Sequence, residues 1–142
     1  MIAKYNTKKH YIDLVLLLEE HSSYDFYITE NNTRVIVKDS ASIKKLFENV
    51  TVAYVSESKP EIDGIMLVWQ AMGGDVKRNY IKFNVLDEKV AENLINTLTQ
   101  DYKGKLYIKI KKDSLYLKLF KDNDFRFCHD RGSELLLVRE KQ

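Results

Sequence analysis

Two stretches, NYIKFNV (79–85) and KLYIKIK (105–111), alternate polar and apolar side chains with the period of a β-strand. Between them, Val90, Leu94, Ile95 and Leu98 recur at helical spacing, and Asp87 stands where an N-cap belongs. A strand, a helix and a strand in direct succession need a right-handed crossover, which makes the two strands parallel. The stretch VLDEKVAENLINTL (85–98) is therefore a strand-to-helix junction inside a sheet. Few folds carry such a unit among other strands that read as hairpins.

The remaining elements follow the same logic. Ile2 to Tyr5 reads as a strand, and His10 to Glu20 as a helix with Tyr11, Leu14, Val15 and Leu18 on one stripe. DFYIT and TRVIV flank Asn31-Asn32, a pair that tolerates left-handed turn geometry, so a small hairpin is expected. Asp39 or Ser40 caps a short helix that carries Ile43, Leu46 and Phe47 inward. TVAYVSE, IDGIMLVWQAM and RNYIKFNV are successive strands, with turns at Ser58-Lys59-Pro60 and Gly73-Gly74-Asp75. The middle one is apolar on both faces from Ile65 to Met72 and belongs deep in the sheet, which makes Trp69 core or an aromatic at a groove edge. Ser114 to Lys121 reads as a short helix, and RFCHD and ELLLVRE close the chain as a hairpin around Arg131-Gly132-Ser133. One proline, five glycines and no repeat or linker imply one domain over residues 1–142. The expected class is α/β (α+β): a mixed, mostly antiparallel sheet of six or seven strands with helices on both faces.

Composition narrows the function classes. A net charge of +2 is well short of the basic excess of a dedicated nucleic-acid binder. No apolar run is long enough to span a bilayer, because YIDLVLLLEE is short and interrupted by Asp13. A single cysteine, Cys128, cannot form an internal disulfide, which fits a cytoplasmic protein. Cys128-His129-Asp130 invites a nucleophile or metal reading, but neighbours on a strand face opposite ways, and the three histidines lack ligand spacing. No metal is expected.

The stretch DSLYLKLFKDNDFRF (113–127) and the strand IDGIMLVWQ with its preceding glycine, in this element order, resemble the GNAT N-acetyltransferase superfamily. The resemblance covers most of the chain from Thr51 onward; Asp25 to Val37 looks like an added hairpin. It implies a GNAT-like fold and an acetyl-CoA site at the 85–98 junction. There the family carries an Arg/Gln-x-x-Gly-x-Gly/Ala loop, whose glycines let the backbone wrap the cofactor's pyrophosphate at the helix N-terminus. This chain has no glycine between Gly74 and Gly104, and Asp87 and Glu88 place negative charge where a diphosphate would sit. The family's general-acid tyrosine corresponds to Phe120, which has no proton to give, leaving Tyr116 one turn earlier as the candidate catalytic residue. Asp113 stands in place of an asparagine and can cap the helix, and Asp124 in place of a glycine. A cofactor, if held, would rest on the main chain of Phe83, Asn84 and Val85.

A second surface is legible without the resemblance. If Ile81, Phe83, Val85, Leu106, Ile108 and Ile110 all face the helix at 88–100, the opposite faces place Tyr80 and Lys82 beside Lys105, Tyr107, Lys109 and Lys111. Lysines interleaved with stackable rings suit an anionic ligand or single-stranded nucleic acid. Three functions are therefore expected in order. The first is a degenerate GNAT-like protein without a resident cofactor, acting as a binding or regulatory domain toward a protein partner or itself. The second is a divergent acetyl-CoA-dependent N-acyltransferase. The third is a nucleic-acid-contacting accessory protein.

Overall fold

In a computed structural model, residues 1–73 and 75–142 are described. The chain runs β1 (Ile2–Lys4), α1 (Thr7–Glu20), β2 (Tyr27–Glu30), β3 (Thr33–Ile36), α2 (Ser40–Phe47), β4 (Val50–Ser58), β5 (Glu61–Gly73), β6 (Val76–Val85), α3 (Glu88–Asp101), β7 (Leu106–Lys111), α4 (Leu117–Asp122), β8 (Arg126–Asp130) and β9 (Glu134–Arg139). Seven strands form one sheet in the order β1-β4-β5-β6-β7-β9-β8, and β2-β3 form a separate hairpin. Every pairing in the large sheet is antiparallel except β6 with β7, the pair that the β6-α3-β7 crossover makes parallel.

Each face of the sheet builds its own core. On one, Met66, Val68, Ile81, Phe83, Val85, Leu106, Ile108 and Ile110 pack with Val90, Leu94, Ile95 and Leu98 of α3 and with Phe120 of α4. On the other, Val55, Ile65 and Leu67 meet Leu14, Leu17 and Leu18 of α1, Ile43 and Leu46 of α2, and Phe26 and Ile28 of the hairpin. Gly64 permits the close approach of α3 to β5, since a Cβ there would lie 2.6 Å from Val90 Cγ1.

Local chemistry explains most boundaries. The Asp39 side chain accepts the Ser42 amide and Ser42 Oγ in turn accepts the Asp39 amide, a capping box that starts α2. Asp87 accepts the Val90 amide at 2.9 Å and caps α3 as expected. Asn31 and Asn32 adopt φ of +50° and +61°, the left-handed pair that closes the β2-β3 hairpin.

Four expectations need correction. Helix α1 begins at Thr7, three residues before His10, because Asn6 caps it through the Lys9 amide. Its buried stripe is His10, Leu14, Leu17 and Leu18, with Tyr11 and Val15 only half-buried. Helix α4 begins at Leu117, and Asp113 does not cap it: Ser114 Oγ accepts the Tyr116 amide in a preceding turn. Burial of the middle strand is continuous from Gly64 to Val68 and ends there, Met72 being 62% exposed where β5 extends beyond the helices. The turn expected at Gly73-Gly74-Asp75 includes Gly74, which lies outside the described residues. Among the described residues no helix is long and apolar enough to cross a membrane.

Candidate functional site at the mouth between β6 and β7

Parallel strands β6 and β7 are registered through the pair Tyr80 and Tyr107. Beyond it the strands part toward the start of α3, and another piece of the chain occupies the mouth. The Phe83 amide donates to the Asp25 carbonyl at 3.1 Å. Asn84 Nδ2 donates to the His21 carbonyl at 2.8 Å, and Lys82 Nζ donates to the Tyr27 carbonyl. Three consecutive residues of β6 thus hold the segment 21–27 that links α1 to the hairpin.

Charged groups clamp that segment. Arg34 of β3 donates to the Tyr24 carbonyl at 2.8 Å and is ion-paired with Glu134 of β9. The Tyr24 hydroxyl donates to Glu134 Oε2 at 2.9 Å. The guanidinium lies 3.9 Å from the centre of the Tyr24 ring and 3.6 Å from that of Tyr27, and Lys111 Nζ lies 4.1 Å from the Tyr24 ring. Burial pushes the Asp25 carboxyl up to about 6, against the opposing pull of Arg34 and, more weakly, Lys111. Its Oδ1 is buried without a hydrogen-bond partner.

The expected cofactor-site residues meet at this mouth in part. The Phe83 amide faces it and is bonded to Asp25, while its ring belongs to the core beside α4. Asn84 is fully buried with Oδ1 unpartnered, and the following Leu86 amide donates to the Asp63 carbonyl at 3.0 Å, tying the end of β6 to β5. At the start of α3 the Asp87 carboxylate is engaged with the Val90 amide and Glu88 occupies the first turn. Phe120 is fully buried, its ring 5.5 Å from that of Phe83 and 5.4 Å from that of Phe125. Tyr116 sits at the edge of this stack, its ring edge-on to Phe83 at 5.3 Å, and burial raises its hydroxyl pKa, with Asp25, Asp87 and Glu88 adding.

The lysine and tyrosine face divides into distinct environments. Tyr80 and Tyr107 have ring centres 5.7 Å apart, with Lys109 over the first at 5.2 Å and Lys105 over the second at 5.5 Å. Arg78 joins them 5.2 Å above Tyr107. Lys105 is also paired with Glu140. Lys111 turns to Tyr24 instead. Lys82 is only 1% exposed, with Nζ 3.8 Å from the Trp69 ring and 4.1 Å from the Tyr27 ring. Burial pushes its ammonium down to about 7, with Arg34 and Lys109 adding. Trp69 is half-buried at this groove edge.

Cys128 and His129 are exposed on the edge strand β8, whose register with β9 shifts between Phe127 and His129. No group of three His, Cys, Asp or Glu residues able to hold a metal occurs among the described residues.

The sequence reading does not single out Tyr24, Asp25, Tyr27, Arg34 or Glu134. One signal was available. A two-residue turn at Asn31-Asn32 fixes Tyr27 opposite Ile36 and Thr29 opposite Arg34, which makes Tyr27 and Arg34 diagonal neighbours on one face. Nothing local points to Glu134, a hundred residues further on.

Comparison with solved structures defines the fold class. No family model matches the sequence, and no curated protein matches it. The structure matches an acetyltransferase of the GNAT family from Streptococcus pneumoniae, with TM-score 0.68 at 10% identity over 100% of this chain and 99% of that one. It matches the ribosomal-protein-alanine N-acetyltransferase from Brucella melitensis at TM-score 0.68 and 14% identity, covering 97% of this chain and 96% of that one. It also matches the PaiA N-acetyltransferase from Thermoplasma acidophilum, solved in complex with coenzyme A, at TM-score 0.59 and 8% identity, covering 99% of this chain and 98% of that one. The chain adopts the GNAT acetyltransferase fold.

Proposed function

We propose that this chain is a single-domain GNAT-fold binding or regulatory protein of the cytoplasm, whose cofactor mouth is filled by its own residues 21–27. One observation carries the reading: the Phe83 amide, one of the main-chain groups on which a cofactor would rest, is bonded to Asp25. The start of α3 supports it, because Asp87 and Glu88 oppose a diphosphate. The partner is a protein or a second copy of this chain. Acetyl-CoA at about 1 mM should leave the melting temperature and the calorimetric baseline unchanged, since a ligand selective for the folded state must stabilise it. A saturable shift sinks the proposal.

A second reading draws on a different observation. Asp25 places a carboxyl with a raised pKa and a bare buried oxygen at the same mouth, which is the equipment of a general base. In a divergent N-acyltransferase Asp25 would take the proton from the acceptor amine, Tyr116 would protonate the departing thiolate, and the main chain of Phe83 to Val85 would hold acetyl-CoA. This requires residues 21–27 to withdraw from β6. Release of free coenzyme A in the presence of a polyamine or peptide amine, abolished in Asp25→Asn, would favour it over the first.

A further inference from the structure

A recess of about 270 Å3 opens between the β2-β3 hairpin and the polar face of β5, β6 and β7. Its polar lining consists of Tyr27, Thr29, Trp69, Tyr80, Lys82 and Lys109, and its apolar lining of Ala71 and Met72. Every polar side chain there is a hydrogen-bond donor, and none is a carboxylate. We infer that this recess binds a small organic carboxylate, with Lys82 and Lys109 on the carboxylate and the rings of Trp69, Tyr27 and Tyr80 against the carbon skeleton.

Lys82 is short of acceptors. Its ammonium has three donors, and the structure supplies one acceptor, the Tyr27 carbonyl, plus two aromatic faces. Neither Lys82 nor Lys109 belongs to an ion pair among the described residues. The carboxylate that acts on Lys109, Glu134, is already engaged by Arg34 and Tyr24. Cations otherwise predominate, with Arg34 and Lys109 acting on Lys82, and Arg131, Arg34 and Arg78 on Lys109. A buried cation without a counter-ion is costly, and an incoming anion relieves that cost. The Trp69 indole N–H adds a buried donor with no partner.

Size and shape select the anion. The volume lies just below the roughly 300–1,000 Å3 range of drug-sized sites, which restricts the ligand to a small molecule. Lys82 is too deep for a polymer backbone passing over the surface to reach, which separates this ligand from nucleic acid. Trp69 stands directly opposite Tyr80, so two rings flank the path to the ammonium and favour an apolar body behind the carboxylate.

The inference deepens the binding-domain reading, and its test is independent of the cofactor. Trp69 is the only tryptophan of the chain and lines this recess, so its emission responds to a ligand seated there, and the lysine variants assign the response to this side of the ring. The probe is sodium cyclohexanecarboxylate, titrated at constant ionic strength beside cyclohexanecarboxamide and inorganic phosphate. The carboxylate should give a saturable change in emission, with Kd on the order of millimolar or tighter, and the amide none. Lys109→Met should weaken binding at least about tenfold, and so should Lys82→Met, with far-UV circular dichroism confirming that both fold. No saturable change, an equal response to the amide, or undiminished affinity in Lys109→Met overturns the proposal. Binding of phosphate with no response to the carboxylate also overturns it. A carboxylate response together with acetyl-CoA binding would keep this recess and remove the filled-mouth reading.

Discussion

The carbonyl of Asp25 accepts the amide of Phe83 at 3.1 Å, at the point where β6 leaves β7. A segment outside the sheet thereby takes a position that a neighbouring strand or a ligand would otherwise take. Arg34 holds that segment through the Tyr24 carbonyl, Glu134 and two tyrosine rings. Arg34→Ala should cost about 2–3 kcal/mol, because it strips a half-buried ion pair and leaves Glu134 without its cation. Hydrogen exchange should then show the Phe83 amide losing protection more than the amides of β5. Unchanged protection would mean that the segment stays in place without its clamp.

Asp25 gives stability a particular pH dependence. Its carboxyl is raised from 3.8 to about 6 in the folded protein, so the folded state binds this proton more tightly than the unfolded chain. Stability from this group is fully present below about pH 4 and is lost as pH rises through 6. The loss should be about 2–3 kcal/mol, and Asp25→Asn should lack it. Urea midpoints of both proteins between pH 4 and 7 measure the difference; parallel profiles would rule this origin out.

Lys82 acts in the opposite direction and in a different window. Its ammonium falls from 10.5 to about 7 on folding, so the unfolded chain binds the proton more tightly across that interval. Stability should therefore rise with pH from 7 toward 10, by an amount on the order of a few kcal/mol. Lys82→Met should flatten the rise. Chemical denaturation at pH 7, 8 and 9 measures the rise.

Asp124 carries φ of +71°, a left-handed conformation that costs an L-residue energy glycine does not incur. Asp124→Gly should stabilise the protein by about 0.5–1 kcal/mol, after the greater chain entropy of glycine is deducted. A lower thermal midpoint in the variant would contradict this.

Phe120 tests whether one substitution can place a phenol at the mouth. Its ring is wedged between Phe83 and Phe125 with no exposed surface. Phe120→Tyr should lose about 1–3 kcal/mol through a hydroxyl forced among apolar rings. No acetyl transfer should appear, as followed by thiol release. A stable variant with a titrating new phenol would show that the position reaches solvent.

The periodic parts of this fold were legible from the sequence because burial writes itself into spacing. Val90, Leu94, Ile95 and Leu98 announced α3, and the alternation of β6 and β7 announced both faces of the crossover. Asp39, Asp87 and the Asn31-Asn32 turn were equally plain, since each satisfies a backbone requirement within four residues. Asp113 misled because Ser114 makes the local bond instead. The surroundings of the mouth could not be read, because Tyr24, Asp25, Arg34 and Glu134 meet across a hundred residues with no shared period. Lys82 was visible as one of six groove residues. Its burial was not, because the hairpin that covers it is not marked in its own strand.

Joined at its centre through the single register pair Tyr80 and Tyr107, the large sheet is divided into two plates. One plate is β1-β4-β5-β6 and the other β7-β9-β8. Arg34 and Tyr24 ride with the hairpin against the first plate, while Glu134 begins β9 on the second. That ion pair is a tie-rod across the opening. Beside that opening stand Lys82 on the first plate and Lys109 on the second, so the charged link between Arg34 and Glu134 spans the same gap that separates the two lysines.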